Sequence, residues 1–142
     1  SCEVVTPKVF PTGPGPQNFN IVHALRVSND GMVYVADREN RRVQVFTPQG
    51  KFVNQIIKTD TPFARNLALS PDREQQFLYV GNGPEITVVE RKSLQIVGAI
   101  KPPGMTGAGH HLATDSKGNL YIAQTGMGLQ KLTFKGMSGG TR

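Results

Sequence analysis

The chain has 142 residues, among them 16 Gly, 10 Pro and one Cys, and its formal charge is +6. Gly and Pro at this density favour turns over long helices, and one cysteine excludes an intrachain disulfide framework or a Cys-rich zinc module. No apolar window of about 18 residues exists to form a membrane-spanning helix, and the length suits one all-β domain with a real core.

The basic charge is scattered. The longest basic runs are Arg41-Arg42 and Arg91-Lys92, which fits a solvated basic surface better than a nucleic-acid track. Ser1-Cys2 has the form of a processed lipoprotein start, which tilts the expected location towards export, periplasmic or extracellular.

In chain order, residues 4–10 are strand-like and are followed by the Pro/Gly linker 11–16, so 1–18 form an outer strand and linker. A first unit, 19–60, runs through 23–28, the turn Asn29-Asp30-Gly31, 32–37, 43–46 and 52–57. A second, 61–104, repeats the order with 66–70, a turn at Pro71-Asp72, 77–80, 86–89 and 94–97. A third, 105–136, has 111–115, the turn Ser116-Lys117-Gly118, 119–123 and 129–134. It lacks an outer strand before the tail 137–142. Tyr34, Tyr79 and Tyr121 mark a common register, 45 and 42 residues apart, and are expected to pack between units.

Short β-branched runs bounded by Gly, Pro, Asn and Asp, four to a unit at this period, predict β-propeller blades. Three blades are too few for a ring. Either the chain is part of a larger protein, or two copies form a six-bladed ring as a homodimer with exchanged outer strands. The loose strand at 4–10 and the missing outer strand of the third blade favour the homodimer, since closure removes sheet edges.

The stretch Val35-Ala36-Asp37-Arg38-Glu39-Asn40, followed by Arg42, Gln44 and Phe46, resembles an NHL-type propeller repeat. More narrowly, with Phe19, His23, Phe63, Arg65-Asn66 and His110 ahead of Tyr121-Ile122, the chain resembles the C-terminal half of the peptidyl-α-hydroxyglycine α-amidating lyases, six-bladed zinc enzymes. The resemblance implies that His23 and His110 are metal ligands for zinc and that Arg38 is a catalytic arginine facing an anionic oxygen. The family's third zinc histidine and its tyrosine base lie in blades with no counterpart here. His111 stands where the family has an aspartate linked to calcium, which argues against a calcium site. Ala108 replaces a methionine near the zinc.

Independently of the resemblance, His23 and His110 each lie eight residues before a turn glycine, Gly31 and Gly118. Both therefore enter an inner strand at the same end. Arg65 is expected either as a channel-facing anion or substrate contact or as a structural hydrogen-bond donor. Alternatives for each residue are bland: a histidine bonded to backbone, and Arg38 paired with Asp37 or Glu39. The functional expectation is a binding or scaffold propeller that recognises a small molecule, peptide or protein at the channel mouth. The alternatives are a zinc-dependent lyase-like enzyme and, third, RNA binding.

Overall fold

The computed structural model describes residues 18–59, 63–104 and 110–136. The expected outer strand at 4–10, the linker, Ala108 and the tail lie outside the described residues. Eleven strands and no helix are present among those described, in three antiparallel sheets. No helix of the described residues is long and apolar enough to cross a membrane.

The first sheet is β1 (Val22–Val27), β2 (Val33–Asp37), β3 (Arg42–Phe46) and β4 (Phe52–Ile57), in sequence order. The second is β5 (Asn66–Leu69), β6 (Phe77–Asn82), β7 (Glu85–Glu90) and β8 (Gln95–Ile100). The third is β9 (His111–Thr114), β10 (Leu120–Gln124) and β11 (Gly128–Leu132), with no fourth strand among the described residues. Strand positions follow the sequence pattern closely. β11 stops two residues before Phe134, and β8 continues three residues past the expected Val97.

The meander is local because each turn carries its own chemistry. Gly31 and Gly118 hold φ of 83° and 84°, a left-handed conformation that costs glycine nothing. In the first turn the Gly31 amide donates to the Ser28 carbonyl, and in the third the Gly118 amide donates to Asp115. The Asp115 carboxylate also accepts from the amides of Lys117 and Asn119.

β5 packs beside both β1 and β9, so the first strands of the three sheets form the inner edge of an arc. Two cross-links tie that edge together: Arg26 Nη2 donates to the Leu112 carbonyl at 3.1 Å, and Thr114 Oγ1 to the Leu69 carbonyl at 2.7 Å.

Two cores lie between the sheets. Tyr34, Ala36, Val43, Val45 and Ile56 of the first face Leu67, Leu69, Leu78, Val80 and Val89 of the second. Ala68 and Ile86 of the second, with Tyr79 and Ile100, face Leu112, Leu120, Ile122 and Leu132 of the third. Strand alternation gives β5 and β6 two buried faces, Leu67 and Leu69 one way and Ala68 the other. The close fit shows at Gly81, where a Cβ would lie 2.2 Å from Asn66 Oδ1.

Leu25, Leu67 and Leu112 occupy one register position, paired with Val35, Val80 and Ile122. Leu67 and Leu112 are 0% and 1% exposed, whereas Leu25 is 53% exposed and Val27 57%. The outward face of the first sheet is thus the same kind of face that is buried twice within the arc. At the other end, Leu129 and Phe134 are exposed.

Candidate functional site

His23 lies opposite no residue of β2, because the register passes from Val22↔Asp37 to Ala24↔Ala36. It is the extra residue of a β-bulge, a device that turns a side chain out of the strand's alternation. Its ring Nδ1 is hydrogen-bonded to the backbone carbonyl of Arg65. A carbonyl only accepts, so Nδ1 carries the proton and the neutral ring keeps its lone pair on Nε2.

His110 immediately precedes β9, and its amide donates to Ala123. Arg65 makes the equivalent bond one sheet earlier, from its amide to Gly81. His23, Arg65 and His110 therefore enter the three inner strands at the same end. The His23 and His110 rings meet edge to face with centroids 5.8 Å apart, and His110 meets His111 in the same way at 5.1 Å. Three imidazoles from two sheets form one chain of rings.

Arg38 follows β2, and its amide donates to the Ile21 carbonyl, two residues before His23. Its guanidinium pairs with Glu39 at 2.8 Å on a partly exposed surface, so of the two carboxylates considered from sequence it takes Glu39. Asp37 is committed elsewhere. It is 0% exposed and holds Arg42 Nε at 2.7 Å, the Asn40 side-chain amide at 2.8 Å and the Asn20 backbone amide at 2.7 Å. Arg42 also donates to the Asn18 carbonyl and to Gln55. The two ends of this polar stretch, Asp37 and Arg42, thus form a buried knot that fastens the entry segment 18–21 to the first sheet, while Glu39 and Arg41 between them are exposed.

Two imidazoles, one with its tautomer fixed by a backbone carbonyl, suit a zinc site in donor type and in outer-shell support. Among the described residues no group of three His, Cys, Asp or Glu side chains is arranged to hold a metal ion. A metal there would rest on His23 and His110, with its other positions filled from outside these residues. The Arg65 side chain is exposed and makes no hydrogen bond or ion pair among the described residues. Arg26 and Arg38 are committed to the Leu112 carbonyl and to Glu39, so the cation this end of the arc offers an anion, beside the imidazoles, is Arg65.

Sequence reasoning did not find the cross-sheet use of Arg91. Its guanidinium makes paired 3.0 Å bonds to both Asp30 oxygens and a third to the Tyr34 hydroxyl. Burial pushes the Tyr34 phenol up, while the bond from Arg91 holds the Asp30 carboxyl below its ordinary value. The signal was present in the sequence, since an aspartate precedes each marker tyrosine in all three units. The side chain that would answer it is far along the chain.

Residues 19–46 match the family model for the NHL repeat. NHL repeat-containing protein 3 of Homo sapiens is 53% identical over 34 residues, which are 24% of this chain and 10% of that protein. The chain thus spans about a tenth of this curated relative. The structure of Kuenenia stuttgartiensis hydrazine synthase superimposes with a TM-score of 0.65 over 93% of this chain and 36% of that one, at 16% identity. At that identity the likeness concerns fold alone. Together these findings support an all-β arc of propeller blades whose first blade carries an NHL repeat.

Proposed function

We propose that the chain is a propeller binding module that takes an anionic group, the carboxylate of a small molecule or peptide, at the end of the arc where His23, Arg65 and His110 enter the inner strands. The observation that carries this reading is the convergence of three equivalent strand positions, with the His23 ring pinned to the Arg65 carbonyl and the Arg65 side chain exposed. A guanidinium recognises a carboxylate through paired, charge-assisted hydrogen bonds. Neighbouring imidazoles add donors whose number depends on protonation.

The experiment is a titration of the three histidine ring signals with a short peptide bearing a free C-terminal carboxylate, and with the same peptide amidated. The carboxylate form is expected to shift the His23 and His110 signals saturably, and Arg65→Ala to remove the response. Equal responses to the two peptides, or a response untouched by Arg65→Ala, would overturn the proposal.

A second reading, a zinc-dependent lyase-like site, is favoured by the tautomer of His23 alone. His23 and His110 would hold the metal, which would supply Lewis-acid chemistry, and Arg38 would face substrate. Zinc titration of the wild type and of His23→Ala/His110→Ala tests it. Zinc binding that is absent, or that survives the double substitution, removes this reading and leaves the anion-binding one standing.

For the assembly, we propose that a second copy covers the outward face of the first blade, giving a six-bladed homodimer. Leu25 supports this, being 53% exposed at a register position whose counterparts in the other two blades, Leu67 and Leu112, are buried.

A further inference from the structure

The two junctions between sheets are built alike on the first-sheet or second-sheet side but not on the side that answers it. Ser28 and Ser70 each bond the aspartate two residues on, Asp30 and Asp72. Tyr34 and Tyr79 each follow on the second strand, and both lean on the core that faces the next sheet. At the first junction Arg91 reaches back from the end of β7, fills the space and bonds Asp30 and Tyr34. Only a small pocket of about 180 Å³ remains there.

At the second junction the position corresponding to Arg91 is Phe134. Leu78 pairs with Val89 and Leu120 with Leu132, and each partner lies two residues before the position in question. Phe134 packs instead against Gly118. What remains is an open groove of about 930 Å³, walled by Phe77, Tyr79, Val88, Ile100 and Phe134, with Asp72 at one side. The Tyr79 hydroxyl has no hydrogen bond among the described residues. The Asp72 carboxylate accepts from the Ser70 hydroxyl and the Gln76 amide, both on its own turn, and forms no ion pair among the described residues. Lys117 lines the groove from the third sheet without pairing with it.

We propose that this groove binds the guanidinium of an arginine presented by another polypeptide segment, with Asp72 and Tyr79 taking the roles that Asp30 and Tyr34 take towards Arg91. The complementarity is local to the Asp72 side, away from any pairing with Lys117: an aspartate and a phenol oxygen accept, and aromatic walls accommodate a planar cation. Burial alone would raise the Asp72 carboxyl, but hydrogen bonds from Ser70, Gln76 and its own backbone amide, with a smaller effect of the Arg91 charge, outweigh it and keep the group below its ordinary value. It is therefore ionised at neutral pH. The groove lies at the β5–β6 and β9–β10 turns, the far end of the strands from His23 and Arg65. It is independent of the anion site.

The chain has three tyrosines, so ring-labelled protein reports on each junction separately. The probe is N-acetyl-arginine amide, compared with N-acetyl-citrulline amide, which keeps the shape and loses the charge. The arginine probe is expected to shift the Tyr79 ring saturably, at a dissociation constant on the order of 1 mM. Tyr34 and Tyr121 should stay in place. Asp72→Asn should weaken binding roughly tenfold or more. Phe134→Arg should place a guanidinium in the groove from within and abolish the probe response. Unmoved Tyr34 and Tyr121 signals certify that each variant is folded. Equal shifts with the citrulline probe, undiminished binding by Asp72→Asn, or no saturable Tyr79 response would overturn the proposal.

Discussion

Arg42 Nε lies 2.7 Å from Asp37 Oδ2, with the two side chains 1% and 0% exposed. Removing water from both charges is costly, and the pair holds because each has further partners: Asn40 and the Asn20 amide for Asp37, the Asn18 carbonyl and Gln55 for Arg42. A pair of this kind is costly to break from one side, since the remaining charge is stranded. Asp37→Ala is expected to destabilise the domain by about 3–5 kcal/mol, read as the shift in urea midpoint at unchanged slope. A loss below about 1 kcal/mol would mean that the knot is solvated.

Arg91 and Asp30 make stability depend on acid. The hydrogen bond from Arg91 lowers the folded-state pKa of Asp30 from its ordinary 3.8. A depressed carboxyl contributes its full stabilisation above the unfolded value and loses it as pH falls through the folded one. The stability gap between wild type and Asp30→Asn should therefore be constant from pH 7 to about 5 and close below about 4. Thermal melts across that range check it, and a gap independent of pH would contradict the pairing.

Gly81 faces Asn66 so closely that a Cβ would lie 2.2 Å from its side-chain oxygen. Asn66 is buried and cannot swing into solvent. Gly81→Ala should cost about 1–3 kcal/mol, whereas Gly98→Ala, with nothing within 4 Å of the added carbon, should be close to neutral. Equal effects at the two sites would show that space is not the cause.

The exposed face of the first blade gives a prediction about assembly. Sedimentation should find a dimer, and Leu25→Asp should shift it to monomer because a charge cannot be buried unpaired at such an interface. A folded wild-type monomer across the micromolar range would rule out closure by a second copy.

Strand placement was legible because it is local. A period of two, β-branched residues and turn glycines at 31 and 118 are short-range facts, and they put β1 through β11 within a few residues of their places. The shared entry of His23 and His110 was also legible, since it needs only a fixed offset from each turn. The stretch from Asp37 to Arg42 showed its importance in sequence but not its nature. Its charges were visible, and burial, which separates a structural knot from a surface cluster, is a property of the packed sheets.

What the tertiary structure alone decided concerns contacts across blades. The bond from His23 to the Arg65 carbonyl spans 42 residues and that from Arg91 to Asp30 spans 61, and no local pattern encodes either. The carbonyl that fixes the His23 tautomer belongs to the backbone and has no residue signature at all. The same holds for the difference between Asp30 and Asp72. Their neighbours in sequence are alike, yet one carboxylate is closed by an arginine from the next blade and the other borders an open groove. Residue identity sets what a side chain can bond, and the stacking of one sheet on the next determines which partner comes within reach.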